Sequence, residues 1–337
     1  MKRTTLVLAI LAVSLPALSL DKMPKDKGFS GYANLGVGAG SVESNFLAHI
    51  AGLEIDLGDD TIDSFGSPDD EDIVIPALNF ELGYTFGNKK TRIALGNDLA
   101  DFLQFDRATR LSVRHDFDNV GRMQLGLLNS ALLQTEVWKD PYLLNEKRER
   151  TDYDSNGVRL TWDKILGSHF ELKTTVKKLD VDKERSGEDL GLSQAQRKLL
   201  DREGDVTRIE LGYLMLAGEG KHLIRPSVTY IDRDLDGDAM AQDGYEIGVS
   251  WAYSGDNFRW VNNIDYASMD GNKENPIFNE VNDSERILFA SQMFFPGMFG
   301  LQEWVPNISF AWAESDSDVD FNDESVYVFS ASMFRRF

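Results

Sequence analysis

Apolar and polar residues alternate one by one along most of this chain, in segments joined in turn by short turns and long polar loops. From position 28, Phe29, Gly31, Ala33, Leu35, Val37 and Ala39 share one face, while Ser30, Tyr32, Asn34, Gly36, Gly38 and Gly40 share the other. The two-residue period is that of a β-strand with a different environment on each side. Further on, Leu78, Phe80, Leu82, Tyr84 and Phe86 oppose Asn79, Glu81, Gly83 and Thr85. Tyr245, Ile247, Val249, Trp251 and Tyr253 likewise oppose Glu246, Gly248 and Ser250. Short turns fall near 87–89, 117–120, 164–168, 217–220, 254–257 and 296–300. Long loops fall near 44–72, 97–107, 131–156, 180–205, 232–243, 269–284 and 314–324. The two kinds alternate without exception. A soluble sandwich has no reason to keep that order, whereas a membrane barrel does. The expected fold is all-β: a single transmembrane antiparallel β-barrel of about 14 strands, with short turns at one rim and long acidic loops at the other.

The termini agree. Residues 1–19 read as a signal peptide, with Lys2 and Arg3, an apolar run from Leu6 to Val13, and Ala17-Leu18-Ser19 as a cleavage site. Residues 20–337 then form the barrel. The last strand alternates up to Phe337, and a terminal aromatic there resembles the sorting signal of Gram-negative outer-membrane barrels. The segment from Gly28 through Tyr32, Asn34 and Gly36 to Val42-Glu43-Ser44-Asn45 resembles an uncharacterised family of exported, porin-like Gram-negative proteins classed as a domain of unknown function. The resemblance implies the cell outer membrane as location, its lipids and lipopolysaccharide as partners, and the outer-membrane assembly machinery. It implies no activity.

Charge narrows the partners. A net charge of −21 argues against nucleic acid. The absence of cysteine excludes disulfides and thiolate metal sites.

The polar faces carry the candidate lumen and selectivity residues: Arg92, Arg110, Arg114, Arg122, Arg159, Lys173, Arg208 and Arg259, with Glu81, Glu210 and Glu246. Lys177, Arg225, Arg336, Asp116, Asp163, Glu171 and Asp265 share those faces. A wall with more cations than acids draws anions. The alternative is that the charges pair and fill the lumen, leaving selectivity to the remainder.

In the loop at 232–243, Asp232, Asp234, Asp236, Gly237, Asp238 and Asp243 approximate the spacing of a calcium loop, so Ca²⁺ is an expected ligand there. Met240 stands at the ninth position and strands flank the loop, so the match is partial. His49, His115, His169 and His222 stand beside no nucleophile in sequence, and no catalytic residue or enzymatic activity is expected.

Three local expectations follow. Pro226 and Pro306 lie inside strands and should cause bulges. The apolar stretch from Phe46 to Leu57 should fold inward or form an extra strand pair. Ser193 to Arg202 should form a short helix.

The leading functional reading is a porin-like channel for passive diffusion of small hydrophilic, anionic solutes. Two alternatives stand beside it: a transporter of hydrophobic compounds with loop 44–72 lining its pocket, and a structural or adhesive barrel with a filled lumen.

Overall fold

The computed structural model describes residues 23–50, 53–97, 109–130 and 135–337. The signal segment at 1–19 and most of the loop at 97–107 lie outside the described residues.

Fourteen strands close one antiparallel barrel. They are β1 (Gly28–Ser44), β2 (Asp70–Thr85), β3 (Thr91–Asn97), β4 (Thr109–Phe117), β5 (Gly121–Asn129), β6 (Arg150–Asp163) and β7 (Phe170–Val181). There follow β8 (Gly204–Tyr213), β9 (His222–Leu235), β10 (Gln242–Ser254), β11 (Arg259–Gly271), β12 (Ser284–Phe294), β13 (Trp304–Ser317) and β14 (Glu324–Arg336). Each pairs with the next, and β14 returns to β1 from Tyr32↔Arg336 to Ser44↔Glu324. The seam reaches the last residue. Gly31 N donates to Phe337 O at 2.8 Å, and Phe337 N donates to Gly31 O at 3.0 Å. Closure leaves no free edge, which hydrocarbon would not tolerate.

The alternation decides which side is which. Leu127 and Ile247 face outward and remain 55% and 62% exposed. Their neighbours Gly126, Leu128, Glu246 and Gly248 turn inward and are buried. An apolar exterior around a polar interior suits lipid outside. Outward rings touch near the short turns, Tyr84 against Phe86 and Trp251 against Trp260. Tyr230 meets Tyr245 near the long loops. These are the two aromatic girdles of a bilayer-spanning barrel. The protein is an outer-membrane β-barrel.

The bulges expected at the prolines are corrected. Pro226 keeps register with Val249 on β10, and Pro306 keeps register with Met333 on β14. The missing donor of Pro226 is absorbed on the other side. There β8 stops at Tyr213 and pairing resumes at Met215–Ala217 with no change of register. Leu214, in the gap, donates instead to His169 O at 3.0 Å.

The first long loop does both things expected of it. Leu47–Ile50 and Ile55–Asp56 form a hairpin, and Leu47–Ile50 also pairs with Thr135–Trp138. The hairpin turns into the barrel. Leu47, Ile50 and Leu57 pack with inward residues of the seam side, including Val42, Ile73, Ile75, Leu288 and Val326. The apolar inner face of β12 thus has a partner. The helix in the fourth long loop is Gln194–Lys198, opened by a capping box between Ser193 and Gln196.

Candidate functional site

Strand alternation places the predicted charges inward, and the register sorts them into networks. Glu81 on β2 accepts from Arg92 on β3 and, at 3.4 Å, from Arg110 on β4. Arg92 lies flat across the wall because Gly83 has no side chain; a Cβ there would stand 2.5 Å from the Arg92 Cζ. Gly212 makes the same room for Arg225, again 2.5 Å from Cζ. Arg225 on β9 bridges Glu171 on β7 at 2.7 Å and Glu210 on β8, which also takes Lys173 at 2.7 Å. Arg122 holds Asp163 with both Nε contacts at 2.9 Å. Arg122, Asp163, Glu171 and Arg225 are each no more than 5% exposed. These pairs therefore fill the short-turn half of the lumen on this side. Beside them, with Tyr32 directly across from Glu81 in register, Tyr32, Val261, Phe294 and Phe334 form an inward apolar cluster.

Nearer the outer rim, Glu246 sits between Arg208 at 2.6 Å and Arg286 at 2.8 Å. Arg114 donates to Gln124 at 2.6 Å, and Arg159 donates to Thr175 at 2.9 Å. Arg259 makes no ion pair among the described residues. The seam side is different in kind. It carries uncharged amides and hydroxyls: Gln292 donates to Asn307 at 2.8 Å, Asn307 to Asn34 at 2.8 Å, and Ser309 meets Ser330 at 2.7 Å.

Two residues that sequence reasoning missed belong to the same wall. Arg286 shares the inward face of Leu288 and Ala290, a strand whose mixed pattern hid its phase. Arg233 lies within the acidic stretch whose spacing suggests a loop, but β9 continues to Leu235 and turns it inward.

Between the hairpin and the wall of β6–β14 lies a cavity of about 280 Å³. Its lining includes Phe46, Leu47, Val206, Ile231, Leu235 and Met240. Six cations also line it, Arg159, Lys177, Arg202, Arg208, Arg233 and Arg286, against two acids, Glu314 and Glu324.

The outer loops cap this space. Tyr142, Phe321, Phe46, Phe65 and Phe278 pack together, with Tyr142 stacked on Phe321 at 5.1 Å between centroids. Arg148, 2% exposed, ties the cap to the hairpin. It donates to Asn45 O at 3.1 Å, to Pro141 O at 3.3 Å and to Asp59 O, and stands 4.5 Å from the Trp138 ring centroid. Burial pulls its pKa down to about 10, so it remains charged at neutral pH. Asp140 accepts from the backbone N–H groups of Tyr142 at 3.0 Å, Gly187 at 2.9 Å and Glu188 at 3.0 Å. Burial raises its pKa, and those donors offset the rise only in part.

The calcium-loop geometry is corrected. Because β9 extends to Leu235 and β10 begins at Gln242, the connecting loop is much shorter than 232–243. Asp232 lies in the strand directly across from Asp243 rather than in a wrapping loop, and Asp234 pairs with Asp205. Asp238 meets Lys273. Asp236 joins Asp201 and Glu203, with ligand oxygens within 4.8 Å of one another. The five aspartates do not converge on one point, because residues in extended chain point apart along the strand.

The histidines take local partners. His49 Nδ1 lies 2.9 Å from Asp56, His115 Nδ1 lies 2.8 Å from the Thr91 hydroxyl, and Trp251 Nε1 donates to His222 at 3.1 Å.

Solved structures similar to this chain include outer-membrane proteins. A loop-deletion mutant of OmpT of Vibrio cholerae is 10% identical, with a TM-score of 0.43, covering 93% of this chain and 100% of the other. A FadL homologue of Pseudomonas aeruginosa is 10% identical, with a TM-score of 0.44 and coverage of 92% and 90%. The monoaromatic hydrocarbon channel CymD is 8% identical, with a TM-score of 0.45 and coverage of 93% and 89%. No curated protein matches the chain. A family described as protein of unknown function, DUF2860, matches residues 28–334, nearly the whole barrel, and the chain belongs to that family.

Proposed function

We propose that this barrel is an outer-membrane channel for passive diffusion of small anionic solutes, closed at its outer mouth by its own loops. The observation that carries this reading is the cavity, where cations outnumber acids directly beneath an inward-folded hairpin. A purely structural barrel needs no cavity lined with cations. An open pore needs no hairpin in its mouth. The uncharged wall of Asn34, Gln292, Asn307 and Ser330 offers solutes a path past the paired charges once the hairpin moves.

Planar-bilayer conductance tests this. Wild-type protein should conduct rarely. Ile50 and Leu57 are 0% and 4% exposed in the apolar packing that seats the hairpin. Replacing them as Ile50→Asp/Leu57→Asp should release it and give steady, anion-preferring conductance. A folded double variant that stays silent would favour the filled, structural barrel instead.

A further inference from the structure

Resting on the channel reading, we propose that the cavity is a binding site for one amphipathic monoanion: a carboxylate or similar head held by Arg233 on an apolar body, roughly ten non-hydrogen atoms in all. The size follows from the volume. About 280 Å³ is the liquid volume of roughly nine water molecules.

The charge argument turns on Arg233. The other lining arginines already have partners: Arg208 and Arg286 share Glu246, Arg202 holds Glu184 at 2.7 Å, and Arg159 donates to Thr175. Arg233 makes no ion pair among the described residues, although it lines the cavity and is exposed there. Glu324, the nearest lining acid in charge terms, accepts instead from the Ser44 hydroxyl at 2.9 Å. A guanidinium left open in a partly sheltered space is suited to a carboxylate, which it can grip with two parallel hydrogen bonds.

The body must be apolar. Arg233 lies between Ile231 and Leu235 on its own strand and across from Val206 on β8. Met240 and Phe46 complete that side. Most of the polar lining residues satisfy one another, the buried Asn322 amide being the exception. Gln242 donates to Asn282 O at 2.6 Å and to Ser284 at 3.2 Å, and Ser317 donates to the Asn282 side chain. A sugar acid would find few free partners for its hydroxyls, and buried hydroxyls without partners are costly. The hydrophilic part of the expected solute class therefore gives way to an amphipathic one.

Octanoate has the stated size. Native mass spectrometry of the whole protein from non-ionic detergent would compare octanoate, octan-1-ol and gluconate. The expected result is one saturable octanoate per chain, with octan-1-ol and gluconate at least tenfold weaker. Arg233→Gln should weaken octanoate about tenfold and abolish the preference over octan-1-ol, while Arg233→Lys keeps most of it. Matched thermal unfolding of both variants would confirm that they are folded. Octanoate that fails to bind, adds without saturation, binds Arg233→Gln equally, or is matched by octan-1-ol or gluconate overturns the proposal. Conductance is read separately. If the hairpin-released variant conducts anions while octanoate fails, the channel stands and the ligand class falls. Octanoate binding in a protein that never conducts leaves the site and removes the channel.

Discussion

Arg122 and Asp163 show what a single residue does in this wall. Both are almost fully buried and held by paired hydrogen bonds. Arg122→Ala should strand Asp163 without its cation and cost about 3–5 kcal/mol, read as a lower urea midpoint. Removing both partners as Arg122→Leu/Asp163→Leu should cost markedly less; an equal loss would show that packing and not charge sets the penalty. Outside the wall, Val249→Arg places a charge against lipid and should cost about 2–4 kcal/mol if it lies near the midplane. At this scale the sequence says a good deal. A two-residue period tells which arginines turn inward, so Arg92, Arg110, Arg122 and Arg208 are identifiable without coordinates. Their partners are not. Arg225 reaches Glu171 across an intervening strand, and only the register brings them together. Arg233 was lost for a related reason, since the acids around it read as loop and concealed a continuing strand.

Among the elements, the inward hairpin and the cap decide what reaches the lumen. The apolar content of Phe46 to Leu57 gave its direction away, because such residues rarely stay in water as a loop. Its pairing with Thr135–Trp138 was not legible, since it joins two loops far apart in sequence. The cap should respond to pH through Asp140. Its folded pKa lies above the unfolded value, so the folded cap binds the proton more readily. Its contribution is fully present below the unfolded value near 3.8 and is lost as pH rises through the raised one. Amide exchange at Gly187 and Glu188, corrected for intrinsic rates, should therefore be slower near pH 3.8 than at pH 7, and Asp140→Asn should flatten the difference. Faster exchange at the acid end would reverse the sign and sink the idea. Asp60 works the other way: hydrogen bonding from Lys147 lowers its pKa, so its support persists above about 3.8 and fades only in stronger acid.

For the whole molecule, strand number and closure were readable because loop length and face alternation repeat independently along the chain. The lumen's contents were not readable, because filling depends on which charges meet. If ions pass along the wall, Arg110→Gln/Arg114→Gln/Arg159→Gln in the hairpin-released background should move the reversal potential towards cations. An unchanged potential in a conducting variant would place those arginines off the ion path.

The hydrogen bonds between Phe337 and Gly31 bear on how such a chain is made. The first strand has no permanent neighbour on one side until β14 pairs with it, and joining the two closes a loop that holds the twelve strands between them. The entropy of that closure is about 5 kcal/mol, so it is favourable only when the whole ladder zips. The seam therefore works as an all-or-none latch. A sheet that has not closed keeps an unsatisfied edge along β1, open to pairing with another chain.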